Sequence, residues 1–164
     1  MSRYNKIRKM DISNGPGVRV SIFMQGCIFH CEGCFNPETW DFKCGNEFTD
    51  DTINEVLALC EPSHIKGLSI LGGEPMHPKN IEATTKLAKE FKKKYPDKTI
   101  WSWTGFNFED IKDKEVFKYI DVLIDGQFKI ALRNPNLRWK GSSNQRVIDV
   151  QKSLKKGEVI LSEE

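Results

Sequence analysis

Three cysteines lie within eight residues of the sequence, at Cys27, Cys31 and Cys34. Thiolates grouped this closely are typical ligands of a zinc ion or of an iron-sulfur cluster. A closed shell of protein ligands usually needs four side chains, so three thiolates leave one coordination position free. The spacing therefore predicts a metal or cluster site that can bind a further molecule and do chemistry on it.

The other possible ligands leave two alternatives open. Structural zinc sites usually combine two cysteine pairs, and no second pair follows the triplet. A ferredoxin-type run is missing as well, because Cys44 and Cys60 do not lie at such a spacing. His30, inside the triplet, is the nearby residue that would complete a zinc site. The residues alone favour an open iron-sulfur cluster, with zinc as the alternative.

Length and charge limit the class of protein. A chain of 164 residues is expected to form a single domain, here residues 1–164. A formal net charge of +2 predicts no general attraction to nucleic acid or to a membrane surface. No apolar run approaches the roughly 20 residues that cross a bilayer, and the basic start lacks the apolar core of a secretory signal. Cysteines at metal-ligand spacing then indicate a reducing cytoplasm.

The elements that must position these cysteines alternate between strands and helices. A helix is predicted after an N-cap at Thr49, with Cys60 on its apolar stripe as a core residue. A second helix is predicted at about 80–95, before Pro96, and a weaker one at 110–119. Strands are predicted at residues 18–24, 67–71, 99–104, 122–125 and 146–150, with a last one at 159–161.

This alternation predicts an α/β fold with right-handed crossovers between parallel strands. A complete eight-stranded barrel needs about 250 residues, so we expect a partial, open (βα) barrel of about five to six parallel strands. In such folds the chemistry gathers at the carboxyl ends of the strands. Four segments directly follow predicted strands and are expected to converge on one rim: the cysteine triplet, Gly72-Gly73-Glu74-Pro75, Ser102-Trp103-Thr104-Gly105 and Asp125-Gly126.

The combined motifs resemble a known superfamily. The triplet followed by Phe35, with the motif Gly72-Gly73-Glu74-Pro75 further on, is similar to the radical S-adenosylmethionine enzymes. The opening Asn14-Gly15-Pro16-Gly17-Val18-Arg19, the Cys34-Phe35-Asn36 step, Trp40 and Gly141-Ser142-Ser143-Asn144-Gln145-Arg146 narrow the resemblance to one family. That family activates anaerobic ribonucleoside-triphosphate reductases. The likeness runs from about Tyr4 to Val150, and Glu74 stands where Asp is common in the family.

The resemblance implies a chemistry. Cys27, Cys31 and Cys34 would bind three irons of a 4Fe-4S cluster, and the fourth iron would chelate S-adenosylmethionine. One electron into the sulfonium would release methionine and a 5′-deoxyadenosyl radical. This radical would remove a hydrogen from a glycine in the large subunit of the anaerobic ribonucleoside-triphosphate reductase. The implied electron donor is a flavodoxin or a ferredoxin-like protein, and the implied fold is a partial barrel of the radical-enzyme type.

Candidate contacts to S-adenosylmethionine follow from the same resemblance. Glycine at 72 and 73 permits close approach of the backbone to the ligand, and Glu74 would accept a hydrogen bond from its ammonium group. The alternative for the polar candidates is a structural role in turns and scaffold. The candidate residues for cofactor binding are Gly33, Phe35, Gly72, Gly73, Glu74, Ser102, Thr104, Asp125, Asn144 and Arg146.

Two other functions remain as alternatives at this stage. The first is activation of another glycyl-radical enzyme, such as pyruvate formate-lyase. The second is a zinc-stabilised binding module in which His30 or Cys44 supplies the fourth ligand. The two classes differ in a simple observation, since a zinc module would be colourless and would contain no acid-labile sulfide.

Overall fold

The computed structural model describes residues 2–163, which form seven strands and four α-helices. The strands are β1 (Arg3–Asp11), β2 (Val18–Met24), β3 (Asn46–Glu47), β4 (Ile65–Gly72), β5 (Thr99–Trp103), β6 (Val122–Asp125) and β7 (Arg146–Asp149). The helices are α1 (Asp50–Leu59), α2 (Ile81–Lys94), α3 (Phe108–Ile111) and α4 (Val150–Lys156).

The strands form one mixed sheet in the order β3-β1-β2-β4-β5-β6-β7. Strands β2, β4, β5 and β6 run parallel to one another in the middle of the sheet. Strands β1, β3 and β7 are antiparallel to their neighbours. The sheet is not closed, because β3 and β7 form its two edges. The predicted partial (βα) barrel of five to six parallel strands is therefore wrong.

The lengths and contents of the connections explain the mixed order. Strand β1 reaches β2 through residues 12–17, which is too short for the crossover that a parallel pair requires. Residues 126–145, between β6 and β7, contain a 3₁₀ turn at Ile130–Leu132 and no α-helix to cross the sheet. We call residues 126–145 the strap. Because the strap returns the chain on the same side, β7 pairs antiparallel with β6.

Strand β1 was not predicted from the sequence, and its irregular pairing explains why. The register with β2 shifts between Tyr4 and Lys6 and again between Arg8 and Asp11. Such bulges change the face on which a side chain lies, so apolar residues no longer recur at every second position. Tyr4 and Ile7 are three residues apart and yet both pack against the same core. The strand therefore lacks the alternation by which strands are recognised.

The main core lies on one face of the sheet, beneath α1 and α2. Helix α1 begins after Thr49, as predicted, and the N–H of Thr49 donates to the Thr52 hydroxyl at 3.0 Å. Cys60, directly after α1, is fully buried in this core, which confirms its predicted place. Side chains from both layers meet here, among them Val20, Ile22, Ile53, Val56, Leu68, Ile70, Leu87, Phe91 and Ile100.

The opposite face of the sheet carries a smaller cluster. Trp101, Val122 and Ile124 are buried there, and Trp139 from the strap packs against them. The Trp101 and Trp139 rings meet edge to face with centroids 5.5 Å apart. The strap covers only part of this face, so the remainder borders an open cavity. Among residues 2–163, no helix is both long and apolar enough to span a membrane.

Replacing Cys60 by alanine tests the assignment of this residue to the core. Loss of one buried sulfur is expected to lower the free energy of unfolding by about 1 kcal/mol, measured by urea denaturation. Iron content after anaerobic reconstitution should not change, because Cys60 lies on the helix side of the sheet. A Cys60→Ala protein that lost its iron would contradict the assignment.

Candidate functional site

A cavity of about 610 Å³ opens at the carboxyl ends of the parallel strands. All three cysteines of the triplet line it, as do residues 72–74 at the end of β4 and residues 103–105 at the end of β5. Gly126, directly after β6, lines it as well. The strand ends therefore converge on one site, as the sequence predicted, although the barrel around them is absent.

Backbone hydrogen bonds hold the loop that carries the cysteines in its shape. The N–H of Cys27 donates to the carbonyl of Trp40 at 3.1 Å, and that of Cys34 donates to the carbonyl of Cys31 at 3.0 Å. Gly33 has a φ of 74°, and a Cβ there would lie 2.6 Å from a side-chain carbon of Ile130. Glycine at 33 thus permits both the left-handed turn and the close approach of the strap.

The thiols are partly withdrawn from water. Burial raises the pKa of the Cys27 thiol, and the N–H groups of Phe29 and His30 beside its sulfur oppose this shift. Burial also raises the pKa of Cys31, opposed by the backbone of Phe128. Without a cation the thiols of Cys27 and Cys31 keep their protons at neutral pH. Binding of a metal or cluster would therefore release protons, and cluster loading should be favoured by higher pH.

The two residues considered as a fourth zinc ligand lie elsewhere. Cys44 is exposed, and neither Cys44 nor His30 lines the cavity. Within residues 2–163, no three His, Cys, Asp or Glu side chains are grouped so that they could hold one metal ion. Cysteines that hold a 4Fe-4S cluster each bind a different iron, so their sulfurs need not converge on one point.

The turn after β4 is bonded directly to the cysteine loop. The N–H of Gly73 donates to the carbonyl of Met24 at 3.1 Å, and that of Glu74 donates to the carbonyl of Gly26 at 2.7 Å. A Cβ on Gly73 would lie 2.6 Å from the same Gly26 oxygen. Gly72 has a φ of 125°, which favours glycine. Glycine is therefore needed at both positions for the turn to approach the loop.

Among the described residues that line the cavity, Glu74 is the one acid, and only 1% of its surface is exposed. Its Oε2 accepts hydrogen bonds from the Met76 N–H at 2.9 Å and the Thr104 hydroxyl at 2.7 Å. Its Oε1 accepts from the Gly105 N–H at 2.7 Å. Burial raises the pKa of Glu74 to about 7, because the three donors offset only part of the cost of removing the charge from water.

The two candidate hydroxyls at the end of β5, those of Ser102 and Thr104, lie in different places. Thr104 lines the cavity, and its Oγ1 also accepts from the Phe106 N–H at 3.1 Å. Ser102 is fully buried and does not line the cavity. Its hydroxyl donates to the carbonyl of Ile70 at 2.8 Å, within the sheet. The structure therefore brings Thr104, and not Ser102, to the cysteines.

Asp125, Arg146 and Glu109 form an ion-pair network beside the cavity, not in its wall. Arg146 donates from Nε to Asp125 at 3.0 Å and from Nη2 at 2.6 Å, and it also contacts Glu109 at 2.5 and 3.0 Å. The Phe108 N–H donates to Asp125 at 2.8 Å. The contact with Arg146 lowers the pKa of Glu109 to about 2. Asn144 donates to the carbonyl of Gln127 at 2.8 Å and does not line the cavity either.

Several cavity residues were not among the predicted candidates. Gln145 closes the strap, since its Oε1 accepts from the Gly141 and Ser142 N–H groups and its Nε2 donates to Gly126. In the sequence, Gln145 was marked only by its place in the motif at residues 141–146, which carried the family resemblance. Trp103 lies in the strand-end segment that was predicted to reach this rim. The other lining residues outside the list of cofactor-binding candidates include Arg8, Phe23, Phe128, Arg133, Trp139 and Lys140.

Comparisons with known proteins agree with this site. The model of the 4Fe-4S single cluster domain family matches residues 13–148. A protein of Enterobacteria phage T4, named anaerobic ribonucleoside-triphosphate reductase-activating protein, is 44% identical over 144 residues, 88% of this chain and 92% of the relative. The chain belongs to this family of activating proteins.

Bacterial members of the activating-protein family match a similar share of the chain. The Vibrio cholerae protein of that name is 40% identical over 146 residues, and the match covers 87% of this chain and 94% of the relative. The Escherichia coli K12 protein is 38% identical over 148 residues, covering 88% of this chain and 96% of the relative. Membership of a 4Fe-4S domain family favours the iron-sulfur cluster over the zinc alternative.

The buried carboxyl of Glu74 predicts a pH dependence of stability. Its pKa of about 7 in the folded protein exceeds the ordinary value of 4.5, so its contribution is fully present below pH 4.5 and is lost as pH rises through 7. In urea denaturation of the metal-free protein, the unfolding free energy of wild type relative to Glu74→Gln should fall between pH 5 and 8. Glu82→Gln, at an exposed position of α2, should show no such trend; a flat difference for Glu74→Gln would contradict the prediction.

The ion-pair network has two arms, the contact of Arg146 with Asp125 and its contact with Glu109. Loss of the two arms is predicted to lower the free energy of unfolding by unequal amounts. Arg146→Ala leaves the Asp125 carboxylate, 1% exposed, without its cation, and should cost about 3 kcal/mol of unfolding free energy. Glu109→Gln removes only the exposed arm and should cost about 0.5 kcal/mol. Thermal and urea unfolding of both variants measure the difference, and equal losses would contradict this account.

Proposed function

We propose that this protein holds one 4Fe-4S cluster through Cys27, Cys31 and Cys34 and binds S-adenosylmethionine beside it. With these cofactors it generates a glycyl radical on an anaerobic ribonucleoside-triphosphate reductase. The observation that carries the proposal is the shared cavity, in which three thiols face a glycine turn and no fourth cysteine of the described chain lines the wall. Relatives named as activating proteins of that reductase, at 38–44% identity, supply its target.

The thiols suit a cluster better than a closed metal site. They lie on one loop, line one cavity and are only partly buried, so a cluster bound there keeps one side open. The N–H groups of Phe29 and His30 beside the Cys27 sulfur would stabilise its thiolate form. A cluster held by three cysteines has one iron without a protein ligand, and this iron is available to the amino and carboxylate groups of S-adenosylmethionine.

The turn at residues 72–74 suits the amino end of that ligand. Any side chain at Gly73 would meet the Gly26 carbonyl, so the backbone itself forms the cavity wall. A carboxylate offers about four acceptor positions, and three of those on Glu74 are used by Met76, Thr104 and Gly105. One acceptor position remains for the ligand ammonium, whose charge would favour the ionised form of Glu74.

The remaining candidate residues divide into two groups by position. Gly33, Phe35 and Thr104 lie close to the cysteines and are proposed to contact the ligand or shield the cluster; Phe35 is 61% exposed at the mouth. Ser102, Asp125, Asn144 and Arg146 lie outside the wall and are proposed to hold the sheet and the strap. Three cations line the cavity, and they would favour the ligand carboxylate; they are Arg8, Arg133 and Lys140.

The bound cofactors would supply a one-electron reductive cleavage of the sulfonium, which gives methionine and, after hydrogen transfer from the partner's glycine, 5′-deoxyadenosine. The protein's own residues position the ligand and limit access of water. The cavity is open at its mouth, which suits a polypeptide substrate, here the large subunit of the reductase. A flavodoxin or a ferredoxin-like protein is proposed as the electron donor.

Substitution of single cysteines tests the ligand set. After anaerobic reconstitution with iron and sulfide, wild type given dithionite and S-adenosylmethionine should form 5′-deoxyadenosine. Cys27→Ala, Cys31→Ala and Cys34→Ala should each fall to background, because each removes an iron ligand. Cys44→Ala, outside the cavity, is the matched control and should keep wild-type yield. Product formation by any triplet variant, or a colourless wild type containing zinc, would overturn the proposal.

The target is tested separately, by electron paramagnetic resonance after mixing with the reductase. A glycyl-radical signal should appear on the large subunit of an anaerobic ribonucleoside-triphosphate reductase. No such signal should appear on pyruvate formate-lyase treated in the same way. The reverse pattern would leave the radical chemistry in place and assign the protein a different substrate.

A further inference from the structure

Residues 28–30, the spacer between Cys27 and Cys31, are held on both sides by contacts between aromatic rings. The Phe29 ring meets that of Phe106 edge to face, with centroids 5.0 Å apart. Phe29 also covers Gly105, where a Cβ would lie 2.5 Å from the ring. The spacer is thus packed against the end of β5. Its first residue, Ile28, is 54% exposed.

The last residue of the spacer is anchored on the other side. The His30 imidazole stacks on the Trp40 indole, with centroids 4.5 Å apart and an angle of 10° between the planes. His30 has a φ of 46°, a left-handed conformation that non-glycine residues adopt at a cost. The stack opposes this cost. The left-handed turn comes directly before Cys31 and returns the chain toward the cavity.

These two anchors act on the first cysteine as well. The N–H groups of Phe29 and His30 contact the Cys27 sulfur, and the N–H of Cys27 donates to the carbonyl of Trp40. Trp40 therefore holds the loop twice, through its backbone at Cys27 and through its ring at His30. We call Phe29, His30, Trp40 and Phe106 the aromatic clamp.

We propose that the aromatic clamp holds Cys27 and Cys31 in place before any cluster is bound, with His30 as a positioning residue and not as a ligand. His30 does not line the cavity, and its ring lies against Trp40. This proposal depends on the proposed function in one respect only, namely that the group the cysteines bind is the cluster. Its physical content is preorganisation of the metal-free loop, which can be measured without iron.

The test is the rate at which iodoacetamide alkylates the thiolate of each cysteine in the metal-free, reduced protein, followed by mass spectrometry. The rate is taken from measurements at several pH values, so that a change in thiol pKa does not enter it. His30→Asn keeps a residue that tolerates the left-handed turn and removes the ring. His30→Phe keeps a ring and removes the nitrogens. Loss of the stack should raise alkylation of Cys27 and Cys31 in His30→Asn by about 2- to 12-fold. His30→Phe keeps the stack but adopts the left-handed turn less readily than His, so its rates should lie between those of wild type and His30→Asn.

Three controls accompany these variants. Ile28→Ala alters the same spacer at an exposed side chain and should leave both rates unchanged. Cys60, fully buried, should stay unmodified in every variant, and its alkylation would reveal general unfolding. Trp40→Leu should match His30→Asn, and the double variant should be no faster than either single one, because both remove the same stack. Additive effects, or wild-type rates in His30→Asn, would overturn the proposal.

Iron retention then separates positioning from ligation. After reconstitution and transfer into chelator, His30→Asn should lose iron faster than wild type, and His30→Phe should lose it at a rate between the two. Equal loss from both variants would make the imidazole nitrogen essential and overturn the proposal. If wild type itself bound no iron, the proposed function would fail while the alkylation rates would still decide the role of the clamp.

Discussion

The hydrogen bonds that meet at Glu74 hold the site together. Its N–H bonds to the loop after β2, its carboxylate to the end of β5, and its carbonyl accepts from the side chain of Asn80 at the start of α2. One residue at the end of β4 thus fixes three neighbouring strand ends and a helix. Parallel strands place these ends side by side, but only such bonds keep the loops beyond them in register. The cysteine loop depends on this junction, because the carbonyl of Gly26 that it engages directly precedes Cys27.

The middle of the sheet could be predicted because burial leaves a local signal. The strands at residues 18–24 and 122–125 are mostly apolar and are buried on both faces, and they were predicted at their observed bounds. Helix α2 was predicted to within one residue at each end, since Pro96 stops it and its apolar stripe is regular. The edges could not be predicted in this way. Strand β1 loses its alternation to bulges, and the direction of β7 depends on a strap whose path has no local sequence signal.

The residues of the candidate site also differ in whether the sequence could predict them. Residues directly after a buried strand, such as Cys27, Gly73 and Thr104, were predicted because the strand-end rule needs only the order of elements. Arg8 and Trp139 reach the cavity through long-range folding, which no local pattern of residues predicts. Ser102 was misplaced for a different reason, since the side to which a strand residue points depends on register. Asp125 and Arg146 are bonded to each other beside the wall, which short motifs cannot distinguish from ligand contact.

All of the larger helices lie on the face of the sheet that is turned away from the thiols. The outer side of α2 carries exposed lysines, including Lys89 and Lys93, and the full thickness of the sheet separates them from the cavity. A dye, a resin or an electrode coupled to those amines would therefore leave the mouth unobstructed. An attachment made at one of these two lysines would therefore hold the molecule with the thiol side of the sheet facing the solution.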